Sequence, residues 1–376
     1  MKHGKMVILT AAVMVGLVGC GSGTAPSGPA QSGKVNPSNL HLDYANVTDN
    51  STLFNAVQSG FIDGAHTIGA HLTTYDNNLS GTTALTNARL MVAEHPDLIF
   101  EYNVVGGLGR SLGETFTRAH VPCIAVNVAA PPCALENLNN PKLGADTGTV
   151  VAEKMKQLGW TGANTTVIIE QNATAGTDVN SSVRYFYAAV ATAVPGMEKV
   201  AGDAIQATTT TIGSTGIQVD TAGTLDGAFN AVKNVLQGLP SDRHVVIYAN
   251  NDDEALGGWR AVAQAGRSGN ALAAGLGGSA PAMEQVRTNP QWVAEGVLFP
   301  QGWGEIGLAM AVAMLQGATP PETTYIPQAV VTKGNLEQYF GSSNSTPRML
   351  SGIPNDDKYL LSTGVLQKFH NIEGVQ

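Results

Sequence analysis

The sequence predicts an α/β protein made of two consecutive doubly wound units, each a parallel sheet with helices on both faces. Three observations predict it. Apolar runs with strand character alternate with helical patterns at steady intervals. The alternation completes one β-α-β-α-β-α-β series by residue 126 and then begins a second. Roughly 340 residues follow a polar N-terminal stretch, enough chain for two domains.

The first series opens with a strand at 40–46. A helix at 51–65 follows, carrying Leu53, Phe54, Val57, Phe61 and Ile62 at helical spacing. A strand at 71–75 leads to a helix with Leu85, Ala88, Leu90 and Met91, which Pro96 stops. A strand at 98–102, a helix at 112–119 and a strand at 123–126 complete the unit. The second series reads as a helix at 149–158, a strand at 166–170, a helix at 181–194 and a strand beginning at 198–201. A helix at 222–236, a strand at 245–248 and a helix at 252–265 come next. They are followed by strands at 272–276 and 293–299, with a helix starting at 281–286 between them. A helix at 304–316 and extended chain at 324–332 close the series. Right-handed crossovers and short loops leave few other topologies. Residues 341–376 read as a polar linker and a tail, whose Leu360, Leu361, Val365 and Leu366 are available to pack on the body.

The N-terminus has the pattern of an export signal. Lys2, His3 and Lys5 precede an apolar run at 6–18, too short to span a bilayer. The run ends in Leu17, Val18, Gly19 and Cys20, which matches the lipobox of bacterial lipoproteins. That match implies a signal peptide at 1–19, cleavage before Cys20 and a diacylglycerol thioether on its sulfur; the alternative is an ordinary signal with a chance cysteine. Residues 20–38 are too poor in apolar side chains to fold and read as a flexible tether. The expected product is exported and touches a membrane only through its lipid. The later apolar run at 306–315 is short and follows Glu305, so it reads as a core helix.

Composition excludes several functions. The chain has 29 Asp and Glu against 20 Lys and Arg and no basic patch, which argues against nucleic acid as a partner. With Cys20 lipidated, Cys123 and Cys133 remain, an even pair in an oxidising compartment. Either a disulfide or a buried Cys123 with a free Cys133 satisfies this reading, and the C-x-x-C spacing of a redox or zinc site is absent. The eight histidines are scattered without an H-E-x-x-H pair, no G-x-S-x-G elbow stands out, and neither cysteine has an evident base partner. The glycines at 106, 107 and 109 follow a strand, but Gly113 comes one residue too late for a dinucleotide turn. The acidic run at 252–254 lacks the spacing of a calcium loop. No enzyme, cofactor or metal is expected.

One stretch stands out for binding. YANNDDEALG, at 248–257, sets a polar cluster at the end of a buried strand and the start of a helix. Ligands of open α/β sheets dock at that edge. Asp252 or Asp253 can cap the helix there and still offer an oxygen to a bound hydroxyl.

The segment from Asn251 to Gly257, followed by Arg260 to Gly266, resembles the ND-x-x-ALG-x-x-RA-x-x-x-AG motif of type I periplasmic solute-binding proteins. The likeness is to the ribose and other sugar-binding members of ABC-transporter systems, and runs from about residue 40 to 332. Val121 to Val126 resembles the family's I/V-P-V-I strand, Ala175 to Thr177 its AGT turn, and 302–306 its crossing between lobes. The resemblance implies two Rossmann-like lobes joined by a three-stranded hinge, with crossings near 144–146, at Gln301 and near Pro327. Lobe one would comprise 40–144 with 302–326, and lobe two 145–300 with 327–340. It also implies a monomer that passes a small polar ligand to a membrane permease.

The family's cleft positions map onto this chain unevenly. Asp252 falls on the motif aspartate that binds sugar hydroxyls, Gln301 on a hinge glutamine, and Phe54 on an aromatic that packs on the sugar ring. Ser51 replaces a binding asparagine, with Asn50 adjacent; Asn127 replaces an aspartate and Val128 its following arginine. Arg184 lies near the second-lobe arginine, though a surface position is the better reading of it. Asn103 closes the third strand within reach of the cleft. Trp303 is placed either to stack on a ring or to pack the hinge, and Phe54 equally fits a core position. The expected ligand is a sugar or sugar-like molecule, with a nucleoside or signalling molecule presented to a sensor as the alternative.

Overall fold

The computed structural model describes residues 35–343 and 346–376. The expected signal peptide at 1–19, Cys20 and the expected tether up to residue 34 lie outside the described residues. Residues 34–376 form one compact unit containing two sheets.

The first sheet is all parallel. It contains β1 (His41–Asn46), β2 (His71–Asp76), β3 (Leu98–Glu101), β4 (Cys123–Val126), β5 (Ala134–Asn137) and β12 (Thr324–Tyr325), in the order β12-β5-β4-β3-β1-β2. The second contains β6 (Thr165–Gln171), β7 (Thr211–Ile212), β8 (Gly216–Asp220), β9 (His244–Ala249), β10 (Ala271–Gly277), β11 (Trp292–Val297) and β13 (Ala329–Val331). Its order is β13-β11-β10-β9-β6-β8-β7, parallel except for the short edge strands β7 and β13. Strands covered on both faces must be apolar throughout. The runs at 167–169, 245–249 and 271–274 meet that demand, every residue in them buried.

Helices α1 (Thr52–Ile68), α2 (Gly81–Ala93) and α3 (Gly109–Arg118) accompany the first sheet. The second carries α4 (Asn140–Gln157), α5 (Gly176–Ala193), α6 (Leu225–Gly238), α7 (Asp252–Gln264) and α8 (Ala280–Thr288). The run from 303 forms α9 (Trp303–Leu315), which packs on α1 and so returns the chain to the first sheet. On α1 the buried positions Val57, Gly60, Phe61, Gly64, Ala65 and Ile68 form one stripe. Glycine is required within it: a Cβ on Gly60 would lie 2.1 Å from the Gln301 carbonyl oxygen, and one on Gly304 2.3 Å from the Gly60 backbone.

The chain passes between sheets three times: at 138–139 between β5 and α4, at 298–302 between β11 and α9, and at 326–328 between β12 and β13. The first passage precedes the expected 144–146, because Leu143 already packs on Gly296 of β11. Asn139 N–H donates to Gln328 Oε1 at 2.7 Å, tying the first passage to the third.

Several elements differ from expectation. The strand expected at 198–201 is irregular; the edge of the second sheet is built instead by β7 and β8 from a Thr/Gly-rich stretch. β5 was not expected at all. Its Cys133 neighbour is bonded to Cys123 of β4. The tail is no loose end: Leu360, Val365 and Leu366 are fully buried, Asp357 Oδ2 accepts from Tyr325 N–H at 2.9 Å, and Asn371 donates to Glu305 of α9 at 2.7 Å.

Candidate functional site

β5, β11 and β12 run from their carboxyl ends straight into the three passages. The carboxyl edges of both sheets therefore meet there, where open α/β sheets hold ligands. One contact spans the edges directly: Asn137, at the end of β5, donates to Asp178 on the first turn of α5 at 3.4 Å.

On the first sheet the edge is organised around Tyr102, one residue beyond β3. The ring is 1% exposed; Phe54 of α1 meets it edge-on at 5.3 Å between centroids, and Trp303 lies at 6.0 Å. Asn127 Nδ2 donates to its hydroxyl at 3.3 Å. Burial pushes that phenol well above its ordinary range, so it stays a neutral hydroxyl. Asn127 itself has φ 60°, the left-handed region that asparagine tolerates better than most residues. Asn103 is also buried. Its Oδ1 accepts from Val105 N–H at 3.0 Å, while its Nδ2 has no protein acceptor. Asn50 is exposed, and Ser51, the N-cap of α1, is half-buried and makes no side-chain cap bond. The side chains Asn50, Ser51, Phe54, Asn103 and Asn127 thus offer amides, a hydroxyl and a ring, without a formal charge, and the enclosed Tyr102 backs them.

The second sheet contributes charge. Asp252 begins α7, but the helix is capped by Asn251, whose Oδ1 accepts from Glu254 N–H at 2.9 Å, and not by either aspartate of the expected pair. Asp252 instead aims at the loop after β10. Its Oδ2 accepts from Ser279 N–H at 2.6 Å, and its buried Oδ1 has no protein partner. Gly277 makes this approach possible, since a Cβ there would lie 2.5 Å from Asp252 Oδ2. Behind it, burial and then the charge of Asp252 push the Glu295 carboxyl far up, and Trp292 Nε1 donates to Glu295 at 3.0 Å. Arg184 is no surface residue: it is 5% exposed, its Nη2 donates to Gln171 Oε1 at 3.1 Å, and its Nε has no acceptor. Burial lowers its pKa. One turn earlier on α5, Asn180 accepts from Asn250 Nδ2 at 2.7 Å and donates to the Asn172 carbonyl at 2.6 Å, locking the ends of β6 and β9 together.

Gln301 is half-buried in the second passage, its carbonyl against Gly60. Trp303 is fully buried, with Nε1 donating to the Leu298 carbonyl at 2.8 Å. A ring enclosed in this way packs the hinge, which removes it from the expected stacking surfaces. Tyr102, Gln171, Asn180 and Asn250 were missed. Tyr102 directly follows a fully apolar-and-acid strand run, and Asn250 sits inside the polar cluster, so strand-end position was the signal for both. Two surface depressions, of about 440 and 500 Å³, lie at the opposite end of the second sheet, around Arg243 and Arg267, and contain none of these residues.

Among the described residues no helix is long and apolar enough to cross a membrane. No match was found among curated protein sequences. Solved structures with the same fold include an ABC transporter solute-binding protein from Mycobacterium smegmatis with bound glycerol. It is 18% identical with a TM-score of 0.62, covering 82% of this chain and 99% of that one. A periplasmic solute-binding protein from Actinobacillus succinogenes with bound D-allose is 17% identical with a TM-score of 0.62, over 79% and 99% of the two chains. The Caulobacter myo-inositol binding protein is 15% identical with a TM-score of 0.61, over 79% and 94%. At these identities the likeness is one of fold. The family model described as the periplasmic binding protein domain matches residues 44–319, and the chain belongs to that family of solute-binding proteins.

Proposed function

We propose that this protein is the extracytoplasmic solute-binding component of an ABC importer and captures a sugar or sugar-like polar ligand between its two lobes. The observation that carries the reading is the pairing of two unlike edges. An uncharged wall of amides, a hydroxyl and an aromatic ring lies on one sheet, and a wall bearing the carboxylates of Asp178 and Asp252 and the guanidinium of Arg184 on the other. Unpartnered buried donors on both, Asn103 Nδ2 and Arg184 Nε, suit the hydroxyl oxygens of a polyhydroxyl ligand, and the Asp252 carboxylate, which also meets Glu295, stands beside them as acceptor. Phe54 gives an apolar ring face its partner. Similar folds hold glycerol, D-allose and myo-inositol, which is the same chemistry.

In this reading 40–137 with 303–325 form lobe one, 140–297 with 329–340 form lobe two, and the passages at 138–139, 298–302 and 326–328 act as the hinge. The protein is a monomer held to the outer face of a bacterial membrane by lipid on Cys20, and it delivers its ligand to a permease. Nucleosides fit less well. Sandwiching a base needs rings on both walls, and here Phe54 and Tyr102 share one wall while Trp303 is enclosed.

The test is a thermal-shift screen of the purified protein against aldoses, deoxysugars, polyols and nucleosides. A ligand at 100 times its Kd stabilises by about 2.7 kcal/mol, a shift that such a screen resolves. A shift from nucleosides or amino acids alone, with none from sugars or polyols, refutes the reading.

A further inference from the structure

Acid is the natural enemy of most folds, for two reasons. Protonation removes carboxylates from ion pairs, and the remaining positive charges repel one another. This chain has little exposure to either. Its charged residues are 13% of the sequence, about half the usual 25%. Its 20 Lys and Arg and 8 His limit the positive charge that acid can leave on 376 residues. Five ion pairs are found among the described residues, and each has at least one partner at or near the surface, where such pairs contribute little.

The interior shows the complementary feature. Five glutamates, Glu101, Glu136, Glu170, Glu254 and Glu295, are at most 1% exposed. None lies within ion-pair distance of a described Lys, Arg or His, and each has at least one oxygen without a protein donor. The groups facing them from the packed elements are neutral or acidic. Glu101 accepts from Asn77 at 3.0 Å beside Tyr44. Glu136 lies against Gly307 of α9 and near Tyr44 and Tyr359. Glu170 lies against Gly258 of α7 and feels the charge of Glu254 on the same helix, to which Thr221 donates, with Asp220 close by. Glu295 meets Asp252, Trp292 and Tyr248. A carboxylate enclosed without a cation costs several kcal/mol, whereas a protonated carboxyl is an ordinary polar group with its own donor.

We propose that this protein is built to fold and work in an acidic medium, with these buried glutamates held as neutral acids. Burial pushes Glu101 up to about 8 and Glu254 up to about 7 from an ordinary 4.5, and raises Glu136, Glu170 and Glu295 well above it. Raised folded values give stability that is complete below about 4.5 and is lost as pH climbs toward 7 and 8. An ordinary domain, stabilised by ion-paired carboxylates, has the opposite slope below about pH 5 and no such loss above it.

The test is thermal melting of the purified protein from pH 3 to 8, without ligand. The expected melting temperature is highest between pH 3 and 5 and falls by about 10 °C or more by pH 8. The double variant Glu136→Gln/Glu170→Gln, with one neutral isostere in each lobe, is expected to fall less steeply and to melt above the parent at pH 8. A melting temperature that is flat or rising from pH 4 to 7 overturns the proposal, as does a folded double variant with the parent's slope. If the double variant does not fold, the parent's profile alone decides. The outcome is independent of which ligand the cleft holds.

Discussion

Replacing Arg184 by methionine is expected to move stability and affinity in opposite directions. The guanidinium is 5% exposed, makes a 3.1 Å bond to a neutral amide oxygen, and leaves Nε without an acceptor. No described carboxylate lies within ion-pair distance of it. A buried cation so poorly compensated destabilises the empty protein, and methionine keeps the apolar stem while removing the charge. Losing the bond to Gln171 offsets part of the gain, since Gln171 still donates to the Ala207 carbonyl at 2.7 Å. A net stabilisation of about 1 kcal/mol in urea unfolding is expected. The ligand loses a charge-assisted contact of about 1.5 to 3 kcal/mol, so titration calorimetry should show Kd weaker by roughly 10- to 150-fold. Arg184→Lys retains the charge without the planar fork and should fall between. An empty Arg184→Met protein destabilised by more than about 1 kcal/mol, with Kd unchanged, makes the guanidinium a structural group and refutes this reasoning.

Four further outcomes follow from the geometry. Asp252→Ala removes the acceptor for Ser279 N–H and should weaken ligand binding at least about tenfold, whereas Asp252→Asn retains an acceptor for the loop and separates loop order from ligand contact; calorimetry on both decides. Gly144→Ala sets a Cβ 2.0 Å from the Ser182 carbonyl oxygen and should cost about 2 kcal/mol or more in urea unfolding. Gly106→Ala, where a Cβ meets nothing within 4 Å, should change stability by less than about 0.5 kcal/mol. Removing the Cys123–Cys133 bond by double alanine substitution opens a loop of sequence separation 10 and should lower unfolding free energy by about 2 to 3 kcal/mol.

Much of the fold was legible because parallel strands buried on both faces have to be written as apolar runs. The runs at 98–100, 167–169 and 245–249 meet that demand, and their shortness and flanking turns set them apart from helices. β5 escaped because its four residues include Glu136, a carboxyl whose burial no local pattern announces. β7 and β8 escaped because they are short and alternate Ile and Val with polar residues, so neither writes a continuous apolar run, while 198–201 had the composition without the pairing. At the site, strand-end position singled out Asp252, Asn103 and Asn127. It could not show where each side chain points. For that reason Arg184 was misread as a surface residue and Trp303 was left between stacking and hinge packing: the burial of one depends on Gln171 from another strand, and the enclosure of the other on a hinge that exists only after the lobes assemble.

The glycine contacts at the passages have a mechanical consequence. Gly60 and Gly304 hold α1 and α9 backbone to backbone, and Gly144 and Gly148 do the same for α4 against α5. Each long helix beyond a passage is therefore welded to its own lobe, and rotation is left to the short segments themselves. Phe299, with φ 47°, is a non-glycine residue in the left-handed region within the second passage. Gln301, two residues on, already belongs to the same rigid block as Asn50, Ser51 and Phe54. Those groups would meet a ligand in fixed geometry before any closure, and only Arg184 and Asp252 would arrive with the turning lobe. Capture and retention would then be separate steps: the first wall sets how fast the ligand lands, and the pivot at 298–300 sets how long it stays.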